Sequence, residues 1–309
     1  GKFVRRHRVP VAVAGASALA LMVLVSWLAY ERARALRAES IARAEVASLV
    51  ASSRYLERLM SESPDAANLR MGEIIAATAC AAVAAAQPAT LRAAAVQVAG
   101  VAKNARSPGV VDEELTCLQF GAAGGQHTLA TLVIFPCHPE VLWDENPHIT
   151  SDYLHTLRAE MEQSTGAPVL ALVGALGGMM TPAMPGNTHD DAAAMGEILA
   201  RAAVGAMADA EARQLQALDY RRAEYKVAFA NPLFQLAMQA GLLAGDLDAD
   251  GALTTEASLL SLDDCSLLGV PGELLPGQGL VYKARLAAGG ARLAGIIGLA
   301  NDELGYILP

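Results

Sequence analysis

Residues Thr128–Glu140 read TLATLVIFPCHPE and combine a predicted central strand with a candidate functional residue. Within this stretch, TLVIFP is continuously apolar, which is typical of a strand buried in the centre of a sheet. His138 follows directly on this predicted strand, 128–135, and the end of a strand is a rigid platform for a side chain. Imidazole is the commonest catalytic zinc ligand, so His138 is a candidate metal ligand, with a hydrogen-bonded loop histidine as the alternative.

Segments on both sides of this strand follow strand and helix patterns. Upstream, Glu114–Gly121 predicts a strand joined to it through the turn AAGGQ. Downstream, Ser151 or Asp152 can cap a helix that runs to about Ser164. The other predicted elements are helices at 69–86 and 190–218, and strands at 91–101, 169–174, 257–263, 265–270 and 293–298. Because strands and helices mix without a regular βαβ repeat, we expect an α/β fold with a mixed sheet flanked by helices.

A glycine-rich turn, GALGGMMTP (174–182), follows the predicted strand 169–174. Gly174, Gly177 and Gly178 permit positive φ angles and a close approach of the backbone to its neighbours. Exposed amides in such a turn could face an oxyanion, but the turn matches neither GxxxxGKS nor GxGxxG. An ordinary turn from strand to loop is the favoured interpretation of this segment taken alone.

Two polar residues stand out near the end of the sequence. Glu273 interrupts an apolar stretch in VPGELLPGQGL (270–280), and Tyr306 follows a predicted strand in GLANDELGYILP (298–309). A single acid or tyrosine in such a place is normally structural. Each residue alone is therefore a weak candidate for chemistry.

Six motifs change this assessment when they are taken together. They are FPCHPE, NPHITSDY, GALGGMMTP, NPLF, VPGELLPGQGL and GLANDELGYILP. In their order and spacing, they resemble the neutral/alkaline non-lysosomal ceramidase family across residues 69–309. The resemblance implies an incomplete catalytic domain that hydrolyses the N-acyl amide of ceramide-type sphingolipids with the help of Zn²⁺.

The same resemblance implies which residues carry the chemistry. His138 matches the histidine of the family's His-Pro motif, Glu273 the glutamate of its Pro-Gly-Glu motif, and Tyr306 the tyrosine of its Gly-Tyr motif; all three would bind Zn²⁺. Arg106, in KNARSPG, is carried over as a catalytic polar partner, although Ala105 separates it from Asn104 where the family has an Asn-Arg pair. Zinc lowers the pKa of its bound water to about 7 and polarises a carbonyl, which suits amide hydrolysis.

A further zinc ligand of the family, a histidine in an upstream His-x-His-Ser/Thr-Gly-Pro-like motif, has no counterpart here. His7 is the only histidine before Leu69. His148, His155 or His189 could replace it or could simply be surface residues, whereas His127, in a predicted hairpin turn, is expected to be solvated. Two functions therefore stay open: a membrane-anchored, ceramidase-like zinc amidohydrolase, or a catalytically inactive ceramidase-derived domain that binds lipid or a protein.

Residues 9–30, VPVAVAGASALALMVLVSWLAY, contain no charge and could cross roughly 30 Å of hydrocarbon as a helix. Trp27 and Tyr30 fall at one end, where amphipathic rings favour the membrane interface. A cleaved signal peptide is the alternative, but no clear small-x-small cleavage site follows the span. We therefore expect residues 1–30 to form a basic cytoplasmic stub and a transmembrane helix, in a single-pass protein whose large domain is extracytoplasmic.

Residues 31–68 are expected to form a juxtamembrane helix and a linker that ends in the polar stretch SESPDAAN (61–68). Residues 1–60 also resemble the transmembrane linker of bacterial Ser/Thr kinases. No kinase motif of the HRD, DFG or glycine-rich type occurs in the sequence, so no kinase activity follows. The ceramidase-like domain then occupies residues 69–309.

Charge limits the choice of partners. The net charge of the chain is −9, yet residues 1–43 hold eight basic and two acidic side chains, so the remainder is strongly acidic. Such a domain repels phosphate polymers, which excludes nucleic acid as an expected partner and leaves a membrane lipid, ceramide or another N-acyl amide. The four cysteines form no CxxC pair and are expected to be small buried side chains. The sequence specifies no oligomeric state.

Overall fold

The computed structural model describes residues 64–106, 109–125, 127–228, 231–240, 248 and 251–307. The predicted membrane span 9–30, most of the juxtamembrane segment 31–68 and the kinase-like linker 1–60 lie outside the described residues. Among the helices that are described, none has both the length and the apolarity needed to cross a membrane. The chain divides into two compact units, Gly1–Ala86 and Gln87–Pro309.

The described part of the first unit is one helix, α1 (Pro64–Ala84). It begins before the predicted start at residue 69, because proline suits the first turn of a helix, where its missing N–H has no intrahelical partner. From Gly72 onward its side chains are exposed. Cys80 is therefore exposed, contrary to the expectation of four buried cysteines, whereas Cys117, Cys137 and Cys265 are buried.

The second unit mixes strands and helices, as predicted. Its strands are β1 (Ala89–Gln97), β2 (Ala102–Asn104), β3 (Glu114–Ala122), β4 (Thr128–Phe135), β5 (Val169–Val173), β6 (Met180–Pro182), β7 (Arg213–Gln214), β8 (Leu218–Ala228), β9 (Ala252–Leu262), β10 (Cys265–Gly269), β11 (Glu273–Leu274), β12 (Leu293–Ile297) and β13 (Tyr306–Ile307). Its helices are α2 (Tyr153–Thr165), α3 (His189–Asp209), α4 (Pro232–Gln239) and α5 (Pro276–Ala288), with a 3-10 turn at Trp143–Glu145.

Two mixed sheets organise this unit, where the sequence predicted one. The larger has the order β5-β4-β3-β1-β7, and the smaller has the order β12-β10-β9-β8. Strands β4 and β5 run parallel, as do β10 and β12, while their other neighbours in the two sheets are antiparallel. The small pairs β11-β13 and β2-β6 lie outside both sheets.

Alternation of side chains along the strands creates two apolar layers. In β3, Leu115 and Cys117 belong to a core shared with helices α2 and α3. Leu118, on the opposite face, packs with Leu267 of the smaller sheet. A third cluster includes Tyr282 of α5 and Ile296 of β12, so α5 covers the outer side of the smaller sheet. The unit is a sandwich of two sheets between helices.

The predicted helix 190–218 is too long. Helix α3 ends at Asp209, and Ala210 takes extended dihedrals of φ −79° and ψ 130°. Arg213 and Gln214 then pair with Leu91 and Thr90 of β1. The segment EARQLQAL (211–218) consists of good helix formers, so its local propensity favours a helix. Pairing with β1 at the edge of the sheet overrides this propensity.

Candidate active site

His138 lies in the loop directly after β4, as the sequence predicted. Its backbone N–H donates a hydrogen bond to the carbonyl of Met180, at 2.8 Å. This bond joins the motif FPCHPE to the glycine-rich segment 174–182, whose last three residues form β6. The imidazole is mostly buried, with 18% of the side chain exposed.

Glu273 begins β11, and its position is set by backbone contacts on two sides. Its N–H donates to the carbonyl of Gly305 at 2.8 Å, which joins the two C-terminal motifs. Gly272, at φ 155°, permits this contact, because a Cβ there would lie 2.6 Å from the Gly305 oxygen. A glycine is therefore needed immediately before the glutamate.

The side chains of His138 and Glu273 meet, although 135 positions of sequence numbering separate these residues. His138 Nε2 lies 3.6 Å from Glu273 Oε2, which is longer than a hydrogen bond. Both atoms are buried, and neither has a hydrogen-bond partner. Buried polar atoms are almost always satisfied, so an unsatisfied imidazole nitrogen that faces an unsatisfied carboxylate oxygen makes this pair a candidate binding site for a cation.

Burial raises the pKa of the Glu273 carboxyl above its ordinary value. The imidazole of His138 opposes this shift, while the negative charges of Glu303 and Glu140 add to it. Three acidic side chains, those of Glu273, Glu303 and Glu140, therefore lie near one another in a partly desolvated environment. A bound cation would relieve both the desolvation and the repulsion.

The glycine-rich turn brings the two halves of the site together. Gly177 donates its N–H to Leu274 O at 2.9 Å, and a Cβ at position 177 would lie 2.4 Å from the Glu273 carbonyl oxygen. Gly178 has φ +74°, as the sequence interpretation allowed. The turn therefore packs backbone against backbone beside Glu273.

Tyr306 is paired with Glu273 across two short strands, whereas Arg106 lies in a separate loop. Tyr306 lies on β13 directly opposite Glu273 on β11, and 46% of the residue is exposed. Arg106 is exposed in the loop after β2, where its N–H donates to Asn104 Oδ1 at 3.0 Å. The neighbouring Ala105 N–H donates to Met179 O, so this loop also touches the glycine-rich turn.

The other histidines considered as ligands are surface residues. His148 lies in the loop before α2, His155 on that helix and His189 at the start of α3, and all three are exposed. His127 is exposed in the β3–β4 hairpin turn. The alternative interpretation of each as a surface or loop histidine fits these positions.

Glu140 is a site residue that the sequence interpretation quoted without singling out. Its Oε1 is buried and has no hydrogen-bond partner, like the facing atoms of His138 and Glu273. The available signal was its place in the motif, two residues after the candidate ligand on the same loop.

Helix α2 holds the loop that carries His138. Tyr153 is fully buried, and its hydroxyl donates to the carbonyl of Cys137 at 2.9 Å. Asp152, the predicted helix cap, accepts hydrogen bonds from the N–H groups of Tyr153 at 2.7 Å and of Leu142 at 2.9 Å. The motif NPHITSDY therefore supports FPCHPE from both ends of its loop.

The residues that are present fit zinc in their chemistry. Imidazole nitrogen and carboxylate oxygen are ordinary zinc donors, and the orphaned atoms of His138 and Glu273 lie side by side. Within the described ranges, however, no three His, Cys, Asp or Glu side chains lie close enough together to form a metal-binding group. His138 and Glu273 thus form the centre of a candidate site that needs further donors.

Two clefts open on either side of Glu140. One has a volume of about 310 Å³ and is lined by Lys103, Thr181 and Met184, among others. The second, of about 460 Å³, includes Ile149. Glu140 and Trp143 line both clefts, so mixed polar and apolar surface borders the candidate site.

Two facing mixed sheets covered by helices, with an imidazole–carboxylate pair at the loop ends, define the class of fold and site. Solved ceramidases share this fold. The neutral ceramidase from Pseudomonas aeruginosa matches with a TM-score of 0.57 and 17% identity, over 72% of this chain and 46% of that one. A ceramidase complexed with C2 matches with a TM-score of 0.56 and 16% identity, over 72% of this chain and 48% of the other.

The predicted ceramidase resemblance is thus confirmed at the level of the fold. This chain spans about half the length of the ceramidases that it resembles. No protein-family model and no curated protein matches the sequence. The zinc site, the substrate and the membrane anchor stay predictions.

Proposed function

We propose that this chain is a zinc-dependent amidohydrolase that cleaves N-acyl amides of the ceramide type. The observation that carries the proposal is the buried pair of unpartnered atoms, His138 Nε2 and Glu273 Oε2, at 3.6 Å. The ceramidase-like fold supports the same reaction class. In the reaction, water adds its oxygen to the acyl carbon, the C–N bond breaks, the nitrogen takes up the protons of the water, and a fatty-acid carboxylate and a protonated amine leave.

His138 and Glu273 would hold the zinc ion, with Tyr306 as the expected third ligand. Zinc supplies a Lewis acid that polarises the amide carbonyl and makes water a better nucleophile at neutral pH. The glycine-rich turn and α2 keep the His138 and Glu273 backbones in place. Arg106, exposed beside the turn, is the proposed polar partner of the substrate.

The clefts on either side of Glu140 are the proposed substrate-binding surface. Trp143 and Met184 offer apolar contact for an acyl chain, and Lys103 and Thr181 offer polar contact for a headgroup. We also propose that residues 9–30 anchor the protein in a membrane, with the large domain extracytoplasmic, which would keep the site near its lipid substrate.

The test is the zinc content of the purified full chain, beside His138→Ala and the surface control His155→Ala. We expect near-stoichiometric zinc in the wild-type protein and in His155→Ala, and its loss in His138→Ala. The wild-type protein and His155→Ala should also release fatty acid from N-acylsphingosine, whereas His138→Ala should not. A wild-type chain without zinc would refute the proposal and favour the alternative, an inactive ceramidase-derived domain that binds lipid or a protein.

A further inference from the structure

Strand β8 (Leu218–Ala228) is the last strand of the smaller sheet, next to β9. In the part of the chain that the structure describes, no strand pairs with its outer side. Ten of its eleven residues are exposed, so both faces of the strand are open to solvent as well as its edge. An open edge presents unpaired backbone N–H and C=O groups, which can form hydrogen bonds with another strand.

The hydrogen bonding between β8 and β9 shows which backbone groups of β8 face outward. The Asp263 N–H donates to the Ala217 carbonyl at 3.0 Å, directly beside the Leu218–Leu262 pair. Hydrogen-bonded and non-hydrogen-bonded pairs alternate along antiparallel strands, so the odd-numbered residues of β8 bond to β9. The even-numbered residues, from Leu218 to Ala228, therefore direct their N–H and C=O groups away from the sheet.

A second copy of β8 can pair with this edge around a two-fold axis perpendicular to the sheet. In such an antiparallel pair, one residue lies on the axis opposite its own copy, and the pairing is symmetrical about that residue. Only an axis through Ala223 pairs all eleven residues of the strand. This register sets even-numbered residues opposite even-numbered ones, so the outward backbone groups of the two copies can bond to each other.

The charges along the strand favour the same register. With the axis at Ala223, Arg222 of each copy lies opposite Glu224 of the other, which gives two ion pairs, and no two like charges are opposed. Moving the axis by one residue instead sets Arg222 or Glu224 opposite its own copy. Charged residues on an edge usually keep strands apart, but here the charges select the one register in which the strand complements itself.

Arg222 and Glu224 have room for these additional contacts, because their side chains are 57% and 61% exposed. Within one chain, Arg222 bonds to Glu224 at 3.1 Å and to Glu256 at 3.0 Å. A guanidinium carries five N–H donors and a carboxylate two acceptor oxygens, so each group can bind one more partner. Pairing of two copies therefore joins the surface ion pairs of both chains into one network.

We propose that β8 is a homodimerisation strand, and that two copies of this chain pair along their β8 edges with Ala223 on the two-fold axis. The four strands of the smaller sheet then continue into the four strands of the second copy. The complementarity of the strand with itself favours a second copy over an unrelated strand as the partner. The dimer strand includes no residue of the proposed zinc site, so dimerisation does not depend on the proposed function.

The experiment measures the molar mass of the full chain in detergent, by size-exclusion chromatography with light scattering over a dilution series. The wild type should be a dimer that dissociates on dilution. Arg222→Glu and Glu224→Arg each replace two ion pairs by two like-charge contacts, so each variant should dimerise at least about 10-fold more weakly. Arg201→Glu, a charge reversal at an exposed arginine of α3, is the control and should dimerise like the wild type.

Mixing Arg222→Glu with Glu224→Arg tests the register itself. In a mixed dimer, both glutamates of one chain lie opposite both arginines of the other, so the mixture should recover dimerisation. A monomeric wild type would overturn this inference, and so would dimers that persist unchanged in both single variants. Variants that unfold cooperatively on heating, and so are folded, yet stay monomeric in the mixture would also overturn it.

Discussion

The hydroxyl of Tyr153 donates a hydrogen bond to the backbone carbonyl of Cys137, 2.9 Å away, and so ties helix α2 to the residue before His138. Both residues are fully buried, and burial is the main reason that the pKa of the Tyr153 hydroxyl lies well above its ordinary value. The hydroxyl therefore stays protonated and keeps its role as a donor.

Replacing Tyr153 by Phe should destabilise the protein and loosen the His138 loop. The change leaves the buried Cys137 carbonyl without this donor, which costs about 1–3 kcal/mol of unfolding free energy. Denaturant unfolding measures the loss, and zinc affinity should fall with it. Tyr220→Phe, at an exposed position on β8, is the control; equal effects of the two changes would contradict the role of the hydrogen bond.

Replacing Gly177 by Ala should displace Glu273. The new Cβ would lie 2.4 Å from the Glu273 carbonyl oxygen, a distance at which the backbone must shift. We expect destabilisation of about 1–3 kcal/mol from overpacking, and a loss of zinc affinity.

Gly205→Ala is the matched control with the opposite sign. Gly205 is exposed on α3, where a Cβ would have no neighbour within 4 Å. Alanine in a helix interior is favoured over glycine by about 0.5–1 kcal/mol, so this variant should be slightly more stable. If thermal unfolding shows Gly177→Ala to be as stable as Gly205→Ala, the packing argument fails.

Lys283 should be essential for stability because it neutralises a buried acid. Its Nζ lies 2.6 Å from Asp112 Oδ2 and 3.0 Å from Glu114 Oε1, and only 2% of the Asp112 side chain is exposed. Lys283→Met should cost about 3–5 kcal/mol of unfolding free energy, because it strands a buried charge. Lys226→Met, at a lysine paired on the surface, should change stability by less than about 1 kcal/mol.

A second substitution tests the cause of that loss. Asp112→Asn in the Lys283→Met background removes the stranded charge, so part of the lost stability should return. Denaturant unfolding of the single and double variants forms the required cycle. Additive losses would show that charge pairing is not the reason for the effect.

Asp264 should make stability depend on acid. Its carboxylate bonds to Arg213 and also to Arg292 Nε, at 3.1 Å; these bonds, the one to Arg213 above all, hold the pKa of Asp264 well below its ordinary value. A depressed folded pKa contributes stability above the unfolded pKa of about 3.9, and this contribution is lost as the pH falls toward the folded pKa. Asp264→Asn should therefore cost about 1 kcal/mol at neutral pH, with a smaller difference below about pH 4.

Urea unfolding between neutral pH and pH 3 measures this dependence. Asp219→Asn is the control, because Asp219 and Arg221 form an exposed pair on β8. That variant should follow the wild-type curve at every pH. A constant difference between Asp264→Asn and the wild type across the range would contradict the proposed linkage.

Local patterns predicted the parts of the fold in which pattern and packing agree. Strand β4 has the predicted bounds, and β3 and α2 end within one residue of theirs. The predictions failed for those elements whose structure depends on tertiary contacts. Helix α5 was not predicted, because Gly277 and Gly279 disfavour a helix locally; Gly279 is required there, since a Cβ would lie 2.6 Å from that of Ala175.

The candidate site was likewise predictable where sequence motifs specify it and unpredictable where tertiary contacts do. Motif resemblance placed His138 and Glu273 on the list of ligands, and the structure brings them within 3.6 Å of each other. Glu140 needed the structure, because the burial of a single oxygen atom without a partner leaves no pattern in a sequence. The second sheet was also hidden, since the sequence of a strand carries no signal of which other strands it pairs with.

The loops around the site are joined through main-chain atoms: His138 N–H to Met180 O, Gly177 N–H to Leu274 O and Glu273 N–H to Gly305 O. Main-chain atoms are the same in nearly every amino acid, so these joints survive most exchanges of the neighbouring side chains. Cleft residues such as Trp143 and Met184 can therefore change while the loop framework stays intact. The architecture thus separates a backbone framework from an exchangeable cleft lining, so the clefts can be reshaped one side chain at a time without moving the loops that carry His138 and Glu273.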